Sequence, residues 1–238
     1  MDFKEKPVIG MIHLVHDSMD IALSELHIYE KCGLDGAIIE NYHGSYSGVE
    51  KTLERASRLD FNLSIGVNIL PNEFEKAFEL ASRFNADFIQ LDHVAGQYIQ
   101  GCLDYNSFIP LRKKLPEIKV LGGVWPKYYQ PIESSCLEKD LLKGIERADA
   151  IVVTGSGTGI ATPLEKVKQF RRILGDFPLI VGAGLNSENA YEQLCIADGA
   201  IVGSCFKEQN RTERPLVREK IEKFMSEVKR AREFKLNS

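Results

Sequence analysis

Eight short apolar runs recur along the chain, at residues 8–12, 36–40, 63–68, 87–92, 119–124, 150–154, 179–182 and 200–203, and a longer segment separates each from the next. The runs are close to continuously apolar and rich in Val and Ile. Strands covered on both faces look like this, whereas half-exposed strands alternate. Their starts lie roughly 20–30 residues apart, the length of one strand–helix unit. Eight such units in 238 residues fit a closed (β/α)8 barrel, an α/β fold of about 250 residues. A doubly wound open sheet seldom needs eight regular units and requires a switch point in its strand order. No Pro-, Gly- or Ser-rich linker interrupts the pattern, so residues 1–238 read as one domain.

The segments between the runs carry helix signals. Asn72 precedes Glu75 by three, a cap-like start, and Phe74, Ala77, Phe78, Ala81 and Phe84 follow on one face. Thr162 and Pro163 with Glu165 predict a cap, a first-turn proline and a reciprocal acid. Gly33 follows a helix carrying Ala22, Leu26 and Tyr29, in the place of a C-terminal glycine. A last helix near residues 216–229 turns Val217, Ile221, Phe224, Met225 and Val228 inward, and its Lys/Arg-rich face reads as solvated surface.

Charge and cysteine usage narrow the function classes. The 30 Lys and Arg against 34 Asp and Glu give a net charge of −4, which disfavours a nucleic-acid binder built on a basic face. No apolar run approaches the roughly 20 residues of a membrane-spanning helix, and the charged start, Asp2 to Lys6, does not resemble a secretory signal. Cys32, Cys102, Cys136, Cys195 and Cys205 are odd in number and show no Cys-x-x-Cys pair. They point to a reducing, cytoplasmic setting without a disulfide framework or zinc ribbon.

In a barrel of this kind, chemistry sits at the C-terminal ends of the strands. Those ends here bring His13, then Glu40 and Asn41, Asn68, Asp92 and His93, Lys127 just past the fifth strand, and Thr154. Glu40 and Asp92 are the candidate acid–base pair, since two carboxylates sharing a dry mouth have their pKa values driven apart. Lys127, in a loop, suits an electrostatic role toward a phosphate or enolate better than a Schiff base. His13 is a base or orienter, and Asn41 and Asn68 are polar orienters of substrate. Neither His-x-x-His at 13 and 16 nor a cluster of His13, Glu40, Asp92 and His93 has a diagnostic metal spacing, so no metal is expected. The loop 154–159 holds three glycines and three hydroxyls, with Thr154, Ser156 and Thr158 as substrate donors, and it is neither a P-loop nor a dinucleotide fingerprint.

The sharpest local signal is the pair of loops after the seventh and eighth strands. Gly182, Gly184 and Asn186 occupy one, and Gly203 and Ser204 the other. Small residues there let backbone N–H groups converge on an anion, which predicts a phosphate between the two loops.

Five segments together resemble the BtpA family. They are VIGMIHL (8–14), DGAIIEN (35–41), IGVNIL (65–70), VVTG (152–155) with Gly157-Thr158-Gly159, and ADGAIVG (197–203) with Phe206-Lys207. The family includes a photosystem I biogenesis protein and proteins from sugar-utilisation gene groups. The resemblance spans about residues 7–225 and implies a TIM barrel of the phosphate-binding type with a cytoplasmic or peripheral location. The chain departs from the family in lacking a longer Pro/Gly-rich loop after His13. Of the acid–Lys–His ending of the fifth strand it keeps only Lys127, the one residue carried over. The glycines of the last two loops are also similar to those of phosphoribosylanthranilate isomerase-type barrels, although the cysteine which that class places on the first strand is missing here.

The function expected from these readings is an enzyme for a phosphorylated small metabolite, with isomerase, lyase or aldolase-type chemistry. The alternatives are a non-catalytic assembly or regulatory protein on the same barrel, and a phosphoribosylanthranilate isomerase-like enzyme. No cofactor is expected. Flavin mononucleotide could use the same phosphate loops, but no residue pattern indicates it. The oligomeric state stays open, a homo-oligomer included.

Overall fold

A computed structural model of the protein describes residues 1–236, with side chains through residue 234. Eight parallel strands close into a barrel in sequence order: β1 (Val8–Val15), β2 (Gly36–His43), β3 (Ser64–Asn68), β4 (Phe88–Ala95), β5 (Lys119–Val124), β6 (Ala150–Thr154), β7 (Leu179–Gly182) and β8 (Gly199–Val202). One helix follows each strand: α1 (Met19–Lys31), α2 (Tyr46–Ala56), α3 (Phe74–Phe84), α4 (Tyr105–Lys114), α5 (Leu137–Arg147), α6 (Leu164–Leu174), α7 (Ala190–Ile196) and α8 (Arg218–Leu236). The molecule is therefore the TIM barrel that the alternating runs predict.

Two apolar layers hold it together. Ile9, Met11, Ile38, Phe88, Leu121, Val152, Ile180 and Ile201 fill the barrel interior, with Met1 and Phe3 packed against them. The outward faces of the strands meet the helices in a second, larger cluster that includes Phe78, Phe108, Phe170 and Phe224. Since every strand is covered on both faces, period-two alternation is lost and the apolar runs appear in its place.

β1, β2 and β4 run three residues past the apolar stretches. Val15 pairs with His43 and Ala95 with Val124, each after a shift in register. Inward positions at the mouth are polar, so a reading based on apolar runs ends too early there. β8 ends at Val202, which leaves Gly203 at the entry of a single 3-10 turn, Ser204–Phe206.

Two helix starts differ from expectation. α3 begins at Phe74 with Glu73 in the cap position. Asn72 has a left-handed backbone and an amide that both accepts from His93 N (3.0 Å) and donates to His93 O (3.1 Å). Asn72 thus stitches the β3–α3 loop to β4 instead of capping. Pro163, not Thr162, takes the N-cap of α6, and Thr162 Oγ1 donates to Gly182 O at 3.1 Å. The Phe206-Lys207 motif is structural: Phe206 packs on Tyr29 and Phe224, and the buried Lys207 ammonium pairs with the buried Glu25 carboxylate of α1. α8 extends to Leu236, and its Ile221, Phe224 and Val228 are fully buried.

Candidate active site

Register places His13, Glu40 and Asn68 side by side on β1, β2 and β3. All three are buried. Asn68 Nδ2 donates to Glu40 Oε1 (2.8 Å) and to Gln90 Oε1 (2.6 Å), forming a belt across β2–β4. Asp92, two residues beyond Gln90, accepts from Tyr129 Oη at 3.0 Å. Lys127 donates its backbone N–H to Thr154 Oγ1 (2.8 Å) and its ammonium to Thr158 Oγ1 (2.9 Å).

Burial sets the protonation states. Burial, reinforced by the Asp92 charge, pushes the Glu40 carboxyl up to about 8, against the milder pull of Lys127 and the Asn68 amide. Asp92 is also raised by burial, opposed by the Tyr129 hydroxyl and Lys127. Burial, aided by Lys207 and Lys127, takes His13 down to about 3, and burial takes His93 down to about 4. At neutral pH Glu40 is therefore a carboxylic acid and both imidazoles are uncharged. The 3.9 Å between His13 Nε2 and Glu40 Oε2 is a contact between neutral groups and is too long for a hydrogen bond. His13 Nδ1 and His93 Nδ1 are buried and have no hydrogen-bond partner among the described residues.

The other half of the mouth is made of small residues. Inward positions of β5 and β7, and the position after β8, are Gly123, Gly182 and Gly203, with Thr154 between them on β6. The asymmetry opens a cavity of about 730 Å³, within the range of small-molecule sites. His13, Glu40, Asp92, Lys127, Thr154, Thr158, Gly182, Gly184, Gly203 and Ser204 all border it. A smaller polar recess of about 310 Å³ adjoins it, sharing Gly184 and Ser204 and adding Asn186, Lys220 and Lys223.

Several expected roles change. Asn41 does not border the cavity. Alternation along β2 turns it away from Glu40's face, and its Oδ1 accepts from Leu70 N at 2.8 Å. Asn68 does not border the cavity, and its Nδ2 is spent on Glu40 and Gln90. Ser156 is exposed and off the cavity. Asn186 closes the turn before α7: its Oδ1 accepts from Glu188 N and Asn189 N, and its own N–H donates to Asn189 Oδ1. Its Oδ1 and backbone N–H are thus taken by the turn, while the residue still edges the recess. Among the described residues no three His, Cys, Asp or Glu side chains converge to hold a metal ion, and all five cysteines are free thiols.

The two loop glycines have specific reasons. Gly184 has φ +67°, and a side chain there would run into the backbone of Ile160 and Ala161, so the β6 loop lies directly against it. A Cβ on Gly203 would sit 2.7 Å from His13 Cε1 and 3.2 Å from Met11 Cβ. Gly203 therefore makes room for the histidine ring. The N–H groups of Ser204 and Cys205 head the 3-10 turn, where no intrahelical acceptor exists for them.

Residues that sequence reasoning missed also surround the cavity. Gln90 and Tyr42 lie two positions from Asp92 and Glu40, and period-two alternation could have found them. Tyr128 and Tyr129 are in a loop with no period to read. Lys220 and Lys223 look like ordinary charges of a solvated helix face until α8 is seen to pass the β8 loop.

A protonated carboxyl beside an aspartate, a lysine and a glycine-walled recess can donate and accept protons on a bound small molecule. The solved structure of N-(5'-phosphoribosyl)anthranilate isomerase from Pyrococcus furiosus superposes with a TM-score of 0.63 at 18% identity, covering 94% of this chain and 99% of that one, a likeness of fold. An uncharacterized protein of Pyrococcus abyssi is 32% identical, covering 89% of this chain and 92% of its own length. The photosystem I biogenesis protein BtpA of Synechocystis is 26% identical across 84% of this chain and 80% of its own. No helix among the described residues is long and apolar enough to cross a membrane. The BtpA family profile matches residues 4–230, nearly the whole barrel including both halves of its mouth, and the chain belongs to the BtpA family.

Proposed function

We propose that the protein is an enzyme acting on a phosphorylated small metabolite by proton transfer beside a carbonyl, as an isomerase or lyase does. The observation that carries this is the protonation asymmetry within one cavity. Glu40 holds a proton at neutral pH while Asp92, beside the Tyr129 hydroxyl and Lys127, is the better placed to be ionised. In this reading Asp92 removes a proton, Glu40 supplies one to the developing oxyanion, and Lys127 stabilises the negative charge. His13, neutral, packs against Glu40 and shapes the pocket. The phosphate lies between residues 182–184 and 203–205, where Ser204 and Cys205 offer N–H groups and Lys220 and Lys223 add positive charge nearby. Binding energy gathered at the phosphate then positions the reacting carbons. No cofactor is needed, and the free thiols accord with a cytoplasmic protein.

The test is solvent exchange in D2O. Purified protein is incubated with a panel of sugar phosphates, and deuterium entry next to the carbonyl is followed by NMR. Exchange is expected with the wild type on at least one compound and is expected to be lost in Glu40→Gln and Asp92→Asn. Exchange at the wild-type rate in both variants rejects the pair. Phosphate binding with no turnover of any compound favours an assembly role, the reading that the name of the Synechocystis relative supports. A flavin absorbance band in the purified protein overturns the cofactor-free reading.

A further inference from the structure

The cavity has two unlike ends. Toward β6–β8 its wall is mainly glycine, threonine and serine, with the aliphatic side chains of Val152, Leu185 and Ile201 and no aromatic ring. Toward β3–β5 it is aromatic and apolar in Leu70, Pro71, Phe74, Leu103, Tyr128 and Tyr129, with Gln90, Asp92 and His93 among them. A three- to five-carbon sugar phosphate is polar along its whole length and leaves such a wall unused. Apolar surface left facing water at a cavity wall is stabilised when a ligand covers it.

The tyrosines are held by their hydroxyls, which leaves ring surface for a ligand. Tyr129 Oη is tied to Asp92, and its ring meets His93 edge-on with centroids 4.8 Å apart and Tyr98 at 5.6 Å. Tyr128 Oη accepts from Thr158 N (2.9 Å), lies 3.1 Å from Thr158 Oγ1 and has the Tyr42 hydroxyl nearby. Tyr128 is nonetheless 61% exposed and Tyr42 37% exposed, so the two rings bridge the mouth from β2 to the β5 loop without being buried by protein. Gln90 adds a polar feature: its Oε1 is occupied by Asn68, which leaves its NH2 as the donor facing the cavity. Flat aromatic surface with one amide donor is what a planar ring bearing an acceptor matches.

We infer that the ligand is a phosphomonoester whose other end is a planar ring, for which nucleoside 5′-monophosphates serve as binding probes, and that Tyr128 is a specificity-determining residue contacting that ring. This rests on the phosphate reading above and adds the chemistry of the opposite end. The cavity volume, toward the upper part of the usual range for small-molecule sites, accommodates such a ligand.

The experiment is calorimetric titration at pH 7 of adenosine and uridine 5′-monophosphates, ribose 5-phosphate and adenosine, on the wild type and on Tyr128→Ala. The exposed Tyr128 can be truncated without opening the core. At least one nucleotide is expected to bind tenfold or more tightly than ribose 5-phosphate to the wild type, and that ratio is expected to fall toward one in the variant. Nucleotides no tighter than ribose 5-phosphate, or a ratio unchanged in Tyr128→Ala, overturn this inference and leave the phosphate reading intact. Adenosine binding as tightly as its monophosphate, with ribose 5-phosphate silent, overturns the phosphate reading instead. Silence of every compound up to millimolar concentration overturns both.

Discussion

Glu40 is where burial and chemistry act on the same proton. In the fold its pKa of about 8 stands above the ordinary 4.5, so between those values the folded state keeps a proton that the unfolded chain releases. Stability falls with rising pH wherever the folded state binds more protons, and the raised Asp92 acts in the same direction. His13 and His93 act oppositely. Their folded values of about 3 and 4 lie below 6.5, so their contribution to stability grows as pH rises toward 6.5 and is complete above it. From pH 6.5 to about 8 the carboxylates dominate. Glu40→Gln retains an acceptor for Asn68 Nδ2 and removes the titration. The thermal midpoint of the wild type should decline from pH 6.5 to 8.5, that of Glu40→Gln should decline less, and the variant should be the more stable above pH 8. Parallel declines in differential scanning calorimetry would show that Glu40 does not titrate there. Activity should fall above about pH 8 as the Glu40 proton is lost, and at low pH as Asp92 becomes protonated.

The strand ends show how much of the site a sequence can carry. Glu40 and Asp92 were legible because each ends an apolar run whose direction toward the mouth follows from the fold. Asn41 was misread because a one-residue step along a strand reverses the face, and two consecutive polar residues do not reveal which one points inward. Tyr128 and Tyr129 had no periodic pattern to mark them. Gly203 was legible as a small residue but not for its cause, since the ring that needs the space comes from β1, joined to β8 only when the barrel closes. That cause is testable. Gly203→Ala should destabilise the protein by about 1–3 kcal/mol through overpacking. In a double-mutant cycle with His13→Ala by urea unfolding, the coupling should be about 0.5–3 kcal/mol, with the alanine tolerated better once the ring is gone. A coupling near zero would mean that Gly203 is small for the anion alone.

Across the whole molecule, the mouth is given to polar groups that burial does not favour, so stability has to come from elsewhere, and in this architecture the N-terminal face of the barrel supplies it. The barrel closes where β8 meets β1. β8 and β1 share three register pairs, Val8 with Ala200, Ile9 with Ile201 and Gly10 with Val202, against six between β1 and β2. Polar fastenings at the base add to this ladder. Ala200 N donates to Pro7 O at 2.9 Å. Arg232 of α8 donates to Lys6 O and to Asp35, whose carboxylate also accepts from Val8 N. Lys6 itself is 4% exposed, and its ammonium donates to Leu194 O (2.5 Å) and Ala197 O (2.8 Å) at the C-terminal end of α7. A cation there satisfies carbonyls that the helix cannot and complements the negative end of its dipole. Lys6→Met keeps most of the apolar stem and leaves those carbonyls short of a donor, which should cost about 1–3 kcal/mol. Urea unfolding should show a lower midpoint with an unchanged slope, because the surface exposed on unfolding is nearly the same. Affinity for phosphorylated ligands should be unaltered, since the seam's base and the mouth are opposite ends of the barrel. A loss of ligand affinity matching the loss of stability would show instead that the closing strand transmits strain along its length to Gly203 and the anion loops.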